Sequence, residues 1–272
     1  MQLDPETHQM TAIVLAGDRT KADSLVNHSE ANAKAMIDID GLPMVRRVLN
    51  ALRSAKVVDK IFLAGPEEAA LNTDQPLADW VAKGEVNWRP PESSPSTSAY
   101  NAMRSLDESE SVLLTTADHP LLTPEMVNAF GRQSLADDVD VTVGLAPHAL
   151  VTEAYPGIKK TVLRFSDGEF CGCNLFAFIT PEGRRAASFW RKIEQQRKKP
   201  LVVIGLLGWS AVIRYRLGLL SLEEALAKLS KRLGLRIRAV ILPYANAAID
   251  VDSISDLMLV KGSLEKAAAQ DA

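Results

Sequence analysis

The sequence predicts an α/β protein with a mostly parallel β-sheet, and two observations support this fold class. Seven runs rich in Val, Ile and Leu recur along the 272 residues, and buried parallel strands have this composition. We place the strands at residues 11–16, 60–64, 112–116, 139–145, 161–165, 175–179 and 237–242. Segments with helix signals separate these runs, and strands that alternate with helices form parallel sheets.

The predicted helices have clear local start signals. Apolar residues at helical spacing follow Pro43, so a helix is expected to begin there. Thr123-Pro124-Glu125 combines an N-cap residue, a proline suited to the first helical position and a first-turn acid. Ser221 and Glu224 have the spacing of a capping box. Helices of this kind are suitable crossovers between parallel strands.

Composition and charge exclude several classes of protein. Hydrophobic residues make up 47% and charged residues 24%, which is typical of a soluble globular protein. The formal net charge of -3 does not indicate a polyanionic partner, so we expect no nucleic-acid binding. Two cysteines, Cys171 and Cys173, are too few for a disulfide framework, and the polar N-terminus lacks the features of an export signal. A cytoplasmic protein is therefore expected.

Residues 1–272 are predicted to form one domain, because no linker rich in Gly, Ser or Pro divides them. We expect a short N-terminal tail at residues 1–10 and a helical insertion at residues 181–233. The Ala-rich end, residues 263–272, is expected to fray.

The insertion combines a basic run with an apolar segment. The segment at residues 201–220 contains Arg214 and Arg216, which argue against a bilayer span. We favour a solvated basic helix face, with the apolar helix covering the sheet or buried in a homodimer. Contact with an anionic membrane surface is the alternative. The basic residues are Arg184, Arg185, Arg191, Lys192, Arg197, Lys198 and Lys199.

The motifs of several common enzyme classes are absent from the sequence. There is no G-x-G-x-x-G, no G-x-x-x-x-G-K-[ST], no H-E-x-x-H and no G-x-S-x-G. Dinucleotide dehydrogenases, P-loop NTPases, zincins and α/β-hydrolases are therefore disfavoured. In open α/β sheets ligands bind beyond the carboxyl ends of strands, so the candidate residues are those that follow each predicted strand.

Four segments at such positions resemble one family. Leu15-Ala16-Gly17-Asp18-Arg19 follows the first strand, and Lys34 then precedes Gly41-Leu42-Pro43 and a helix. Asp118-His119-Pro120-Leu121-Leu122 follows the strand at 112–116. The segment Ser93–Met103 precedes a helix and contains Ser-Ala-Tyr-Asn-Ala, and Asp250 and Asp252 precede the last helix. Together they resemble the nucleotidyltransferases similar to molybdenum-cofactor guanylyltransferase, the MobA-like NTP transferases.

This resemblance implies a fold, a reaction and a set of roles. The fold is the glycosyltransferase-A-like three-layer α/β/α sandwich, and the reaction transfers a nucleotidyl group from an NTP with release of pyrophosphate. Asp118 and Asp252, with Asp250, would hold Mg²⁺, and Lys34 would contact the α-phosphate. The nucleotide would further contact Leu15, Ala16, Gly17, Arg19, Ser96, Thr97 and Ser98. The chemistry suits these residue types, because carboxylates, Mg²⁺ and a lysine together neutralise phosphate charge.

Acceptor recognition is assigned to cations near a predicted strand. Lys159 and Lys160 would bind a phosphate on a small-molecule acceptor, and Asn174 would bond an acceptor hydroxyl. Lysines that protect a sheet edge, and an asparagine that shapes a strand entry, are the structural alternatives.

Other interpretations of the same residues stay open. Asp118 is also a turn former, and either Asp252 or Ser253 suits the N-cap of a helix that begins near Ile254. Asp18 stands where the family has a glycine, and a carboxylate there repels phosphate unless it is paired. The alternative functions are a glycosyltransferase that uses a nucleotide sugar and a non-catalytic nucleotide-binding regulator.

Overall fold

The fold is built around an eight-stranded sheet, seen in a computed structural model that describes residues 7–18, 24–27, 29, 31–136, 138–194 and 208–270. The strands of this sheet are β1 (Met10–Leu15), β4 (Val58–Ala64), β5 (Asn87–Arg89), β6 (Val112–Thr116), β7 (Val141–Pro147), β8 (Val162–Phe165), β9 (Gly168–Phe178) and β10 (Ile237–Ile241). A separate two-stranded sheet contains β2 (Asp38–Ile39) and β3 (Leu42–Pro43).

The main sheet is mostly parallel, as the sequence predicts. Its order is β10-β7-β9-β6-β1-β4-β5, and β8 pairs with β9 outside this path. The long strand β9 is antiparallel to β6, β7 and β8, whereas the remaining neighbours are parallel. The carboxyl ends of β1, β4, β5 and β6 therefore lie along one edge of the sheet.

Helices cover both faces of the sheet. They are α1 (Ser24–Asn27), α2 (Met44–Ser54), α3 (Glu68–Leu71), α4 (Gln75–Ala82), α5 (Pro95–Arg104), α6 (Pro124–Ala136), α7 (His148–Ala154), α8 (Pro181–Glu194), α9 (Trp209–Arg216), α10 (Leu222–Leu233) and α11 (Ile254–Gln270). Short 3-10 turns lie at Lys34–Met36 and Ala245–Ala248.

Alternate residues of β1 bury against different helix layers, which confirms the three-layer sandwich. Ala12 and Val14 belong to one core cluster, together with Val48 of α2 and Val127 of α6. Ile13 and Leu15 belong to a second cluster with residues of α5 and α8. Side chains alternate between the two faces of a strand, so a strand buried on both faces requires helices on both sides.

The predicted helix starts are present. Pro43 is the residue before α2, Thr123 Oγ1 accepts a hydrogen bond of 3.4 Å from Met126 N, and Ser221 and Glu224 form a complete capping box. At the end of the chain α11 continues to Gln270, and its Ala-rich sequence has a high intrinsic helix propensity. Fraying of residues 263–272 stays a prediction.

The region predicted as a helical insertion contains α8, α9 and α10. Residues 195–207, which carry part of the basic run and the start of the apolar segment, lie outside the described residues. Across the described ranges no helix combines the length and the hydrophobicity that crossing a bilayer requires.

Candidate active site

The loops that follow β1, β4 and β5 meet closely at the carboxyl edge of the sheet. A Cβ atom on Gly17 would lie 2.9 Å from Pro91 Cβ, and one on Gly65 would lie 2.7 Å from Gly17 N. Gly65 also has a φ of +85°, a backbone conformation that favours glycine. These contacts explain why a glycine occupies position 17, directly after β1.

Lys34 projects into this edge between two carboxylates. Its Nζ atom lies 2.9 Å from Asp118 Oδ2 and 2.6 Å from Asp252 Oδ1. Asp18 Oδ1 accepts a hydrogen bond of 3.0 Å from the backbone N–H of Lys34. Asp18, which stands where the resembled family has a glycine, therefore fixes the backbone of Lys34 with its carboxylate.

Asp252 keeps its carboxylate available because its neighbour caps the last helix. Ser253 precedes α11, and its Oγ accepts a hydrogen bond of 3.3 Å from Asp256 N. The backbone N–H of Val251 donates to the carbonyl oxygen of Asp118 at 2.9 Å. This bond fixes the segment that carries Asp252 against the end of β6. The choice between the two N-cap candidates is thus resolved in favour of Ser253.

Opposite charges determine the protonation of this cluster. Burial opposes a charge on Lys34, but the carboxylates of Asp118 and Asp252 outweigh it and raise the pKa of the ammonium. Burial likewise opposes a charge on Asp118, yet the Lys34 ammonium beside it lowers the pKa of this carboxyl. At neutral pH the lysine and Asp118 are both ionised.

One oxygen of Asp118 is available to a further ligand. Asp118 Oδ1 is buried, and no hydrogen bond of ordinary geometry reaches it in the described part of the chain, although the nearby Thr116 hydroxyl helps to lower the pKa of this carboxyl. A buried acceptor without a partner is costly, and a bound cation would satisfy it. Asp252 Oδ1 contacts the same Lys34 ammonium as Asp118 Oδ2, so the two carboxylates together offer the hard oxygens that Mg²⁺ prefers.

A cleft of about 110 Å³ contains these groups. It brings together the predicted residues Leu15, Ala16, Gly17, Lys34, Asp118 and Asp252, and it is completed by Asp18, Ala35 and Ala117. Arg19, also predicted to contact the nucleotide, lies outside the described residues.

Asp250 does not join the pair formed by Asp118 and Asp252. Its carboxylate pairs with the Lys160 ammonium and accepts a hydrogen bond of 3.2 Å from Asn174 Nδ2. Nowhere in the described ranges do three His, Cys, Asp or Glu side chains gather as a metal site, so the three predicted magnesium ligands do not form one cluster. Two residues predicted to bind the acceptor instead converge on Asp250, while Lys159 is exposed.

The residues predicted near the base lie at the start of α5 and do not line the cleft. Ser94 is the N-cap, and its Oγ accepts a hydrogen bond of 3.2 Å from Thr97 N. Ser96 and Ser98 are buried, and Ser98 Oγ accepts a hydrogen bond of 3.0 Å from Glu92 N. These hydroxyls therefore organise the loop between β5 and α5.

The structure adds His119 to the groups that organise the site. Burial lowers the pKa of this imidazole, and its Nε2 lies 3.2 Å from the carbonyl oxygen of Asn246. A neutral imidazole donating from Nε2 would tie the end of β6 to the 3-10 turn at Ala245–Ala248, just before Asp250. The Asp-His-Pro sequence places His119 beside a site residue, but sequence alone does not show its burial.

Comparison with known proteins identifies the family. The model of the MobA-like NTP transferase domain matches residues 12–161, more than half of the chain. This chain belongs to that family. It is therefore a nucleotidyltransferase. No curated protein sequence gives a significant match.

Solved structures extend the likeness beyond the matched residues. A hypothetical transferase from Thermus thermophilus is 28% identical, with a TM-score of 0.76, over 92% of this chain and 99% of that one. The 4-diphosphocytidyl-2C-methyl-D-erythritol synthase from Anaerococcus prevotii is 12% identical, with a TM-score of 0.54, over 95% and 96%. CMP:2-keto-3-deoxy-manno-octonic acid synthetase complexed with CTP is 14% identical, with a TM-score of 0.57, over 96% and 99%. The last two likenesses concern the fold alone.

Proposed function

We propose that this chain transfers NMP from an NTP to a phosphorylated small-molecule acceptor, with Mg²⁺ as cofactor. One observation supports this most strongly: the Lys34 ammonium contacts both Asp118 and Asp252 at the edge of the sheet where β1 also ends. An ammonium and two carboxylates at the carboxyl edge of a parallel sheet suit a metal-bound triphosphate.

The reaction is a displacement at phosphorus. An acceptor oxygen forms a bond to the α-phosphorus, the bond from that phosphorus to the oxygen bridging to the β-phosphorus breaks, and pyrophosphate leaves with the electron pair. Lys34 would place its positive charge against the α-phosphate oxygens, and its raised pKa keeps it protonated for this role. Gly17, which has no side chain, allows backbone N–H groups to approach the phosphates.

Asp118 and Asp252 would hold the magnesium ion, with the unpartnered Asp118 Oδ1 as one ligand. When bound, Mg²⁺ neutralises phosphate charge and so supports departure of pyrophosphate. The ammonium of Lys34 now occupies the space between the two carboxylates. With both carboxylates holding the ion, Lys34 would direct its ammonium at the phosphates.

The group formed by Lys160, Asn174 and Asp250 is proposed to bind the acceptor. Asn174 adopts a φ of +49° on β9, where the pairing register with β7 shifts. Such irregularities redirect side chains, and here the amide reaches Asp250, two residues before Asp252. Lys160, with Lys159 next to it, would supply positive charge for an acceptor phosphate, and the amide would bond a hydroxyl.

Pyrophosphate release tests the proposal. Purified protein is incubated with Mg²⁺, each of ATP, CTP, GTP, UTP and TTP, and pairs of sugars or polyols with and without a phosphate. We expect pyrophosphate release with one nucleotide, and only when a phosphorylated partner is present. Release should be lost when EDTA is added and in the Asp118→Asn variant. Asp59→Asn, which removes an exposed carboxylate on β4, is the matched control.

Three outcomes would contradict parts of the proposal. Release with an unphosphorylated partner alone would refute the acceptor class. Release that persists in EDTA would refute the metal dependence. Transfer from a nucleotide sugar without pyrophosphate would instead support the glycosyltransferase alternative.

Lys160→Met tests the acceptor site separately from the donor site. We expect the KM for the acceptor to rise about tenfold, because one charge-assisted hydrogen bond is lost. The KM for the nucleotide should stay unchanged. Lys83→Met, at an exposed lysine after α4, is the control. An unchanged acceptor KM, or an equal rise for the nucleotide, would remove Lys160 from this role.

A further inference from the structure

His119 is a buried polar side chain beside the donor site that the proposed reaction does not use. Its exposed fraction is 1%, and it directly follows Asp118 in the sequence. The N–H of Leu122 donates to the His119 carbonyl oxygen at 3.1 Å, and Pro120 restricts the backbone of the residue before it. The imidazole is therefore carried on a well-fixed turn just after β6.

The two ring nitrogens of His119 have different surroundings. Nε2 lies 3.2 Å from the carbonyl oxygen of Asn246. A carbonyl oxygen can only accept, so Nε2 carries the hydrogen and donates it. Nδ1 is buried, and no group in the described part of the chain hydrogen-bonds to it. A buried nitrogen without a partner costs free energy, so a contribution to stability alone does not account for this histidine.

The Asn246 carbonyl group does not depend on the imidazole for a partner. Its oxygen also accepts a hydrogen bond of 3.0 Å from Ile249 N at the end of the 3-10 turn Ala245–Ala248. The carbonyl would therefore stay bonded if the imidazole were removed. The imidazole adds a link between two segments, the turn after β6 and this 3-10 turn.

This link joins the donor site to the acceptor group, which consists of Lys160, Asn174 and Asp250. The 3-10 turn packs against β7, β9 and α7 and leads directly to Asp250. Burial lowers the pKa of His119. The charges of Asp250, Asp118 and Lys160 also act on this pKa, so residues of both proposed sites lie near the ring.

The segment before α11 is attached to the turn after β6 at two points. One is the backbone hydrogen bond of Val251, and the other is the bond between His119 and Asn246. Asp250 lies between these two attachments in the sequence, whereas Asp252 lies beyond them and next to α11. Loss of the second attachment should therefore displace Asp250 more than Asp252.

We infer that His119 is a positioning residue, whose hydrogen bond to Asn246 holds Asp250 and the acceptor group in register with the donor site. The inference rests on the proposed function, because it assigns a task within that reaction. A misplacement of about 1 Å can slow a reaction about 10²-fold, so the link matters for turnover although His119 does not line the cleft.

Steady-state pyrophosphate release tests the inference, with the phosphorylated compound that supports release in the wild type as the acceptor. In His119→Leu we expect the KM for the acceptor to rise about tenfold and kcat to fall about tenfold. The KM for the nucleotide should stay within about twofold of the wild type. His119→Gln can offer an amide N–H near the position of Nε2, so it should restore both constants to within about threefold.

Amide hydrogen exchange tests the link without any substrate. In His119→Leu the amides of residues 247–251 should exchange about tenfold faster, and those of residues 257–262 in α11 should not change. The thermal midpoint should move by less than about 4 °C, because Asn246 keeps Ile249 as a partner. If the leucine variant does not fold, His119→Asn, whose amide is too short to reach Asn246, should give the same changes.

His8→Leu is the matched control. His8 is also partly buried, and its Nε2 lies 3.3 Å from Ser111 Oγ, before β1 and β6 at the opposite edge of the sheet. This variant should change neither the acceptor KM nor exchange at residues 247–251.

Several results would overturn the inference. They are unchanged exchange at residues 247–251, an equal rise of both KM values in the leucine variant, and failure of the glutamine variant to restore the acceptor KM. Absence of release by the wild type with every nucleotide and partner would refute the proposed function, and with it this task for His119, even if the exchange rates change as expected.

Discussion

Asp118 and Asp140 lie at opposite ends of strands in the same sheet, and each contacts a cation. Asp140 precedes β7, and its carboxylate accepts hydrogen bonds from Arg236 N at 2.7 Å, from Arg236 Nη2 at 2.8 Å and from Thr180 Oγ1 at 2.8 Å. Asp118 follows β6; one of its oxygens pairs with Lys34 at 2.9 Å, and the other is buried without a partner in the residues described.

The difference between these two carboxylates distinguishes an ion pair that the protein satisfies by itself from one that suits a further ligand. Hydrogen bonds from the Arg236 side chain lower the pKa of Asp140 to about 2, and both of its oxygens are satisfied by the protein itself. Asp118 shares its cation with Asp252 and keeps one oxygen without a partner. The unsatisfied carboxylate is at the carboxyl ends of the strands, where ligands bind in open α/β sheets.

Asp118→Asn is expected to give the largest effect. Turnover should fall about 10²-fold or more, because one of the two carboxylates that would hold Mg²⁺ is lost. The free energy of unfolding should change by less than about 1 kcal/mol, because burial offsets part of the attraction between Asp118 and Lys34, and Lys34 keeps Asp252 as a partner in the variant. Initial rates of pyrophosphate release and urea unfolding measure the two quantities. A loss of stability as large as that of an Asp140 variant would break the comparison.

Asp140→Asn should show the reverse pattern. We expect a loss of about 2 kcal/mol in the free energy of unfolding, because charge-assisted hydrogen bonds from Arg236 disappear. The rate per folded molecule should stay within about twofold of the wild type, because Asp140 does not line the cleft. Asp59→Asn again serves as the control, and a large drop in rate would show that Asp140 acts at the active site.

The stabilising effect of Asp140 should depend on pH. Its pKa is lowered from 3.8 to about 2 in the folded state, so the unfolded chain binds this proton first as the pH falls. The stability difference between wild type and Asp140→Asn should be complete above about pH 4 and shrink as the pH falls towards 2. Urea unfolding from pH 6 downwards measures it. A constant difference would contradict the assigned ion pair.

The smallest expected change is in the metal affinity of Lys34→Met in the absence of nucleotide, which should increase. The Lys34 ammonium occupies the space between Asp118 and Asp252, and its removal leaves that space to a divalent ion. Binding of Mn²⁺, followed by electron paramagnetic resonance, should tighten about fivefold, which corresponds to about 1 kcal/mol for a partly exposed ion pair. Lys83→Met should have no effect. Equal or weaker binding in Lys34→Met would show that the lysine does not compete with the metal.

Much of the fold follows from the sequence because buried strands require apolar residues. All seven predicted strands are present, and β6 has the predicted limits. The short strand β5 (Asn87–Arg89) was missed because it contains no apolar run. β9 begins at Gly168, well before the predicted residue 175, since two glycines, Gly168 and Gly172, weaken the strand signal in its first half.

The candidate site is predictable only in part. Asp118 follows β6, and Lys34 in a 3-10 turn and Asp252 before α11 reach the same edge of the sheet, an arrangement that the motif pattern indicates. Asp250 and Asp252 would share a face in a regular strand, but their segment is irregular, and the two side chains reach different lysines. The hydroxyls at the start of α5 bind neighbouring backbone groups, a common alternative for Ser and Thr.

The most direct test of the central claim is the thermal midpoint of wild type and Asp118→Asn with Mg²⁺ and excess of each NTP. A ligand at about 100 times its Kd contributes about 2.7 kcal/mol, which would raise the midpoint by several degrees. We predict such a rise for one nucleotide in the wild type, its loss with EDTA, and no rise in an equally stable Asp118→Asn. An equal rise in both proteins would contradict the assignment of Asp118 to the nucleotide site.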